Sequence, residues 1–118
     1  MLLIFTVQRF PLFFLTTEPT GPPQDILAWT ISSTSILVKW SPPLPSEQNG
    51  VILQYTVSYI SPSSQLKSLN TADNSTSIEV KNLTIFRKYR FTVKAWNVVG
   101  PGPESEPVYN TTFEDSKC

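Results

Sequence analysis

The stretch Tyr89-Arg-Phe-Thr-Val-Lys-Ala-Trp96 constrains this chain more tightly than any other. Tyr89, Phe91, Val93 and Ala95 fall on one side of an extended backbone, and Arg90, Thr92, Lys94 and Trp96 fall on the other. A period of two carried by β-branched and aromatic residues marks a strand with one face in a core. Asn97 and the run Gly100-Pro-Gly-Pro103 end it, because proline has no N–H to give to a ladder. Such a strand needs a second layer to cover its apolar face.

The same alternation recurs along the chain. A first strand is expected from about Gln24 to Thr30, with Ile26 and Ala28 on one face. From Ser35 to Trp40, Ile36, Val38 and Trp40 point inward while Leu37 and Lys39 point out. Ser41-Pro42-Pro43-Leu44-Pro45 stops that strand, and Asn49-Gly50 is a tight-turn signal. Ile52 to Ile60 places Tyr55, Val57 and Tyr59 on one side. A short strand at Leu66 to Asn70 follows, then Thr76 to Lys81 with Ile78 and Val80. Leu83 caps the turn before the opening strand, and a last strand lies around Val108 to Phe113. Seven short strands with no helical periodicity predict an all-β sandwich. Its core is expected at Trp40, Tyr55, Val57, Leu83, Tyr89, Phe91 and Val93.

Composition narrows the function classes. At 118 residues there is room for one domain, and formal net charge is zero, so nothing resembles a nucleic-acid footprint. With no histidine the chain lacks the commonest general base and metal ligand. It carries no phosphate-cradling glycine loop, and its one cysteine, Cys118, cannot form an internal bridge. A non-enzyme without cofactor or metal is therefore expected. Cys118 reads either as an artefact of where the chain was cut or as half of a bridge to another molecule.

Residues 1–17 form an apolar lead-in that reads in two ways. Leu2-Leu3-Ile4-Phe5 to Leu15 is too short for a spanning helix and is broken by Gln8-Arg9 and Pro11. One reading is a signal-like segment, although the only early base, Arg9, lies inside the run and Thr16-Thr17-Glu18 is a poor cleavage site. The other rests on an internal echo. Pro11-Leu-Phe-Phe-Leu-Thr16-Thr17-Glu18 resembles Pro107-Val-Tyr-Asn-Thr111-Thr112-Phe-Glu114, with Thr16 and Thr111 lying 95 positions apart (111 − 16). That spacing suits the remnant of a preceding module in a tandem array. Residues 18–23, rich in proline, are expected as a stiff linker, 24–115 as the domain and 116–118 as a tail.

Pro22-Pro23, Ile26, Trp40 with Ser41-Pro42-Pro43, Gly50 and Tyr55-Thr-Val-Ser-Tyr59 together resemble the fibronectin type III module. So do Leu83, Tyr89-Arg-Phe-Thr-Val-Lys-Ala95, Asn97, Gly100 and Gly102, in the same order and spacing over residues 20–115. The resemblance implies an immunoglobulin-like sandwich, with strands A, B and E in one sheet and C, C′, F and G in the other. Trp40 would fill the centre, and Tyr89 would make a tyrosine corner, its hydroxyl bonded back to the preceding loop. The chain departs from the family where a Pro-Gly pair usually precedes that tyrosine. Here the turn reads Thr84-Ile85-Phe86-Arg87-Lys88, which leaves its geometry open and predicts an exposed Phe86.

Asn74-Ser-Thr, Asn82-Leu-Thr and Asn110-Thr-Thr are N-glycosylation sequons, and each asparagine is expected on a loop or an outward position. Trp96 is expected on the outer face of its strand near Lys94, either in a cross-strand ladder or as a protein contact. Trp29 offers the same pair of readings, with packing between modules as its functional version. The loop Asn97-Val-Val-Gly-Pro-Gly-Pro103 lies where one module of the family carries an Arg-Gly-Asp motif, absent here, and reads as a stiff turn. The Trp-Ser-x-Trp-Ser box of cytokine receptors is also missing.

By resemblance, the expected function is that of a spacer and protein-binding unit. It would be extracellular, in a cell-surface adhesion or receptor protein, contacting neighbouring modules and surface or matrix ligands but inserting into no membrane itself. The alternatives are a structural repeat of a giant intracellular muscle protein and an accessory module of a secreted enzyme. Glycan occupancy separates the first reading from the muscle-type alternative.

Overall fold

The computed structural model describes residues 17–114. The two readings of Met1–Leu15 and the role of Cys118 lie outside the described residues. Seven strands follow in chain order: β1 (Gln24–Thr30), β2 (Ile36–Ser41), β3 (Gln54–Ile60), β4 (Lys67–Asn70), β5 (Ser77–Val80), β6 (Lys88–Trp96) and β7 (Val108–Thr111). A single 3-10 turn at Pro45–Glu47 interrupts the β2–β3 connection. The strands make two antiparallel sheets, ordered β1-β2-β5 and β4-β3-β6-β7, the arrangement of an immunoglobulin-like sandwich.

Register explains why the core forms where it does. Between β3 and β6, Tyr55 pairs with Ala95, Val57 with Val93 and Tyr59 with Phe91. Directly opposed residues share a face, so the alternation in both strands converges on one apolar surface. Ile36, Val38 and Trp40 supply the opposing surface from β2, and all of these side chains are buried. Trp40 meets Tyr55 across the two sheets edge-to-face, with ring centroids 5.2 Å apart. At the other end Tyr59, Tyr89 and Phe91 form a second aromatic group with centroids 6.2–6.4 Å apart. The first strand is irregular: its pairing with β2 shifts between Gln24 and Leu27, where Asp25 takes φ 53°.

The two open sides of the sandwich are finished differently. On the β1/β7 side the Thr30 hydroxyl donates to the Thr111 carbonyl at 2.7 Å, and Asn110 Nδ2 donates to the Ala28 carbonyl at 2.7 Å. These bonds tie the sheets together. On the β4/β5 side no side-chain hydrogen bond joins the strands among the described residues. Leu69 pairs with buried Val57 and Ile78 with buried Val38, so both face inward, yet both stay half-exposed.

The chain enters and leaves at opposite poles. Thr17 is held through its carbonyl by Asn97 Nδ2, beside the β2–β3 and β6–β7 loops. Phe113 is held through its N–H by the Ser32 carbonyl, beside the β1–β2 and β5–β6 connections. The proline-rich segment packs on the domain: Pro19 and Pro23 are buried, and the Thr20 N–H donates to the Glu47 carbonyl at 2.9 Å. Gly102 permits this, because a Cβ there would lie 2.8 Å from Pro19 Cβ and 2.9 Å from its carbonyl oxygen.

Candidate interaction surfaces

Trp40, Tyr55, Val57, Leu83, Tyr89, Phe91 and Val93 are all buried. The Tyr89 hydroxyl accepts the Thr84 N–H at 2.9 Å, which makes the tyrosine corner. The turn that lacks Pro-Gly closes at a cost: Phe86 adopts φ 49°, a left-handed conformation that glycine takes freely. Its ring stands 64% exposed, and its N–H is satisfied by the Phe113 carbonyl at 3.0 Å. Ile31, Ile85 and Phe113 are also exposed at this downstream pole.

At the upstream pole the organiser is Asn97, buried at the end of β6. Its Nδ2 donates towards the carbonyls of Thr17 (2.9 Å), Asn49 (3.0 Å) and Gln48 (3.1 Å). Its Oδ1 accepts from the N–H groups of Val99 (2.9 Å) and Gly100 (3.3 Å). One side chain thus fixes the lead-in segment, the β2–β3 loop and the β6–β7 loop together. Only an amide carries donor and acceptor at this reach, which is why asparagine rather than aspartate serves here. Sequence reasoning marked Asn97 as a strand end and missed this role, since its partners come from distant segments. Around it Val51, Val98 and Val99 are exposed.

The outer face of the four-stranded sheet carries Trp96, half-buried. Its Nε1 donates to the Thr56 hydroxyl at 2.7 Å, and that hydroxyl donates to Asn70 Oδ1 at 2.6 Å, a polar ladder across β6, β3 and β4. Lys94 Nζ lies 5.9 Å from the indole centroid. Trp29, on the outer face of the other sheet, is 57% exposed with Lys39 Nζ 5.7 Å from its ring. Tyr109 stands exposed under Lys88 Nζ at 5.2 Å.

The three sequons differ in setting. Asn74 and Asn82 are exposed, Asn82 on a turn at φ 61°. Asn110 sits on β7, half-buried, and the atom that would carry a glycan donates to Ala28. Among the described residues no cluster of acidic or cysteine side chains is placed to hold a metal ion, and no helix is long and apolar enough to cross a membrane. Perturbed acidities reflect structure. Burial raises the Tyr55 phenol, burial and then the Tyr89 charge raise Tyr59, and hydrogen bonds from Ser75 lower the exposed Asp73 carboxyl.

Two sheets in this order, a tyrosine corner and surfaces built from aromatic and aliphatic side chains define an immunoglobulin-like module. The family model of the fibronectin type III domain matches residues 21–111, and the chain belongs to that family. It is 37% identical over 103 residues to human receptor-type tyrosine-protein phosphatase F, covering 84% of this chain and 5% of that protein. It is 40% identical over 109 residues to the Drosophila melanogaster cell adhesion molecule Dscam2, covering 83% and 5%. Among solved structures, the third fibronectin III domain of human KIAA0343 protein superposes with a TM-score of 0.78 at 24% identity, over 84% of this chain and 86% of that one. The FN5 domain of Drosophila Lar superposes at 0.68 with 27% identity, over 80% and 97%. The chain therefore spans about a twentieth of the curated relatives it matches, and is similar to modules of cell-surface receptor and adhesion proteins.

Proposed function

We propose that the chain is a non-catalytic extracellular module that sets the spacing of neighbouring domains and binds another protein, within a cell-surface adhesion or receptor protein. The observation that carries this reading is its kinship with receptor-type phosphatase F and with Dscam2, each matched over most of this chain and a twentieth of its own length. The opposite poles support the spacing role, each with exposed apolar side chains where a neighbour would sit: Val51 and Val98 upstream, Phe86 and Phe113 downstream. Trp96 and Trp29 are the candidate partner contacts, since tryptophan is enriched among residues that dominate binding energy. Their flanking lysines already shape both rings, so little side-chain entropy remains to be lost on binding.

Residues 24–115 are the module in this reading, with 18–23 as a linker docked on it. Domains A168-A170 from titin share the fold at a TM-score of 0.68 and 26% identity, over 81% of this chain. Two measurements test the proposal. The chain is secreted from eukaryotic cells, its sequons are read by glycopeptide mass, and it is screened against an array of cell-surface ectodomains. Occupied sequons and a retained ectodomain, weakened about tenfold or more by Trp96→Ala or Trp29→Ala, are expected. Failure of secretion with every sequon bare would favour the intracellular repeat. Binding indifferent to both substitutions would remove the two tryptophans from the contact.

A further inference from the structure

The unstitched side of the sandwich contains a hollow of about 500 Å³ between the edges of β4 and β5. Its floor is apolar: the rings of Tyr59 and Tyr89 and the side chains of Leu69, Ile78 and Leu83. Leu69 and Ile78 are inward-facing residues that the sandwich leaves half-covered. Lys67 and Glu79 stand on the rim, and the β5–β6 connection contributes Asn82. Each flanking strand is also the last in its sheet, with backbone groups that no further strand satisfies.

Asn82 is the asparagine of a sequon, and its turn is firmly held. The Leu83 N–H donates to the Thr34 carbonyl and the Thr84 N–H to the Tyr89 hydroxyl, both at 2.9 Å. A sugar attached there is rooted at a fixed point on the edge of the hollow, which raises its local concentration against the floor. The hollow's volume falls within the range of about 300–1,000 Å³ that small ligands occupy. Its chemistry fits a proximal N-acetylglucosamine: apolar floor for the acetyl methyl and ring hydrogens, charged rim for the hydroxyls. Neither other sequon borders this hollow. Asn110 is engaged in the opposite seam, and Asn74 faces a separate depression beside Gly50 and Val51.

We infer that Asn82 is an N-glycosylation site whose first sugar lies in the β4/β5 hollow and closes the open side of the sandwich. The inference rests on the extracellular reading above. In the attachment step Asn82 Nδ2 bonds to C1 of a lipid-pyrophosphate-linked oligosaccharide. The C1–O bond breaks, its electrons leave with the lipid pyrophosphate, and the amide proton passes to solvent. The glycan then does for this side what Thr30 and Asn110 do for the other, and shields two free strand edges from pairing.

The test uses the chain secreted from eukaryotic cells, with Asn82→Gln and Thr84→Ala as two independent ways to abolish the sequon and Thr84→Ser as the variant that keeps it. Glycopeptide mass reads occupancy, and amide hydrogen exchange reads Lys67–Asn70 and Ser77–Val80. The secreted chain and Thr84→Ser should carry sugar at Asn82. Trimming to one N-acetylglucosamine should leave exchange unchanged, whereas both sequon-null variants should exchange about threefold faster or more in β4 and β5 alone. Occupancy at Asn74 with Asn82 bare would overturn the inference and leave the extracellular reading standing. An occupied Asn82 with exchange identical in the sequon-null variants would overturn the covering role. All sequons bare in a secreted chain would overturn the site itself, and a chain that is never secreted would overturn the extracellular reading with it.

Discussion

At the scale of single residues, one tyrosine and one phenylalanine hold the same turn with opposite effects on stability. The Tyr89 hydroxyl is the acceptor for the Thr84 N–H, so Tyr89→Phe leaves that donor without its partner. Chemical denaturation should show a loss of about 1–3 kcal/mol. Three residues away along the same turn, Phe86 occupies left-handed space with most of its ring in solvent. Left-handed backbone costs a residue with a Cβ roughly 1–2 kcal/mol, and part of any relief is returned to the more flexible unfolded glycine chain. Phe86→Gly should therefore raise stability by about 0.5–1 kcal/mol, seen as a higher denaturant midpoint at unchanged slope. A drop would mean that the exposed ring contributes more through packing than its geometry suggests. If the ring is instead a contact for a following module, the more stable variant should bind that neighbour more weakly.

At the scale of elements, what was legible in the sequence is what depends on period and local chemistry. The strand β1 is found over the residues where alternation places it, and β6 carries Tyr89, Phe91, Val93 and Ala95 inward as its pattern requires. Boundaries moved where pairing rather than pattern decides. Ile52 is buried like a strand residue, but regular pairing with β6 begins only at Gln54, and Leu53 bonds the Trp96 carbonyl outside it. Nothing local marks the difference between the two sides of the sandwich, because it depends on which distant strands become edges. The Asn97 clamp is illegible for the same reason, its carbonyl partners lying 48, 49 and 80 positions away. That clamp yields a comparison. Asn97→Ala should cost about 1–3 kcal/mol by stranding loop groups. Asn97→Asp should cost more, since a carboxylate would face three carbonyl oxygens in a buried site. Exchange at Val99 and Gly100 should rise in the alanine variant before global unfolding does.

For the molecule as a whole, the aromatic core couples stability to alkaline pH. Burial raises the Tyr55 phenol above its ordinary value of 10.0, and burial with the neighbouring Tyr89 charge raises Tyr59. A raised value in the fold means that the neutral phenol is the favoured form there. Its contribution is fully present below the unfolded value of about 10 and is lost as pH climbs through the folded value. The chain has no histidine, so no imidazole titrates between the carboxylates and these phenols. Urea midpoints should accordingly hold nearly level from pH 6 to about 9 and fall above about 10. In Tyr55→Phe the hydroxyl that ionises is gone while the ring remains against Trp40, so the alkaline fall should be shallower. A midpoint that drops equally steeply in that variant would place the alkaline sensitivity elsewhere than the contact between the two sheets.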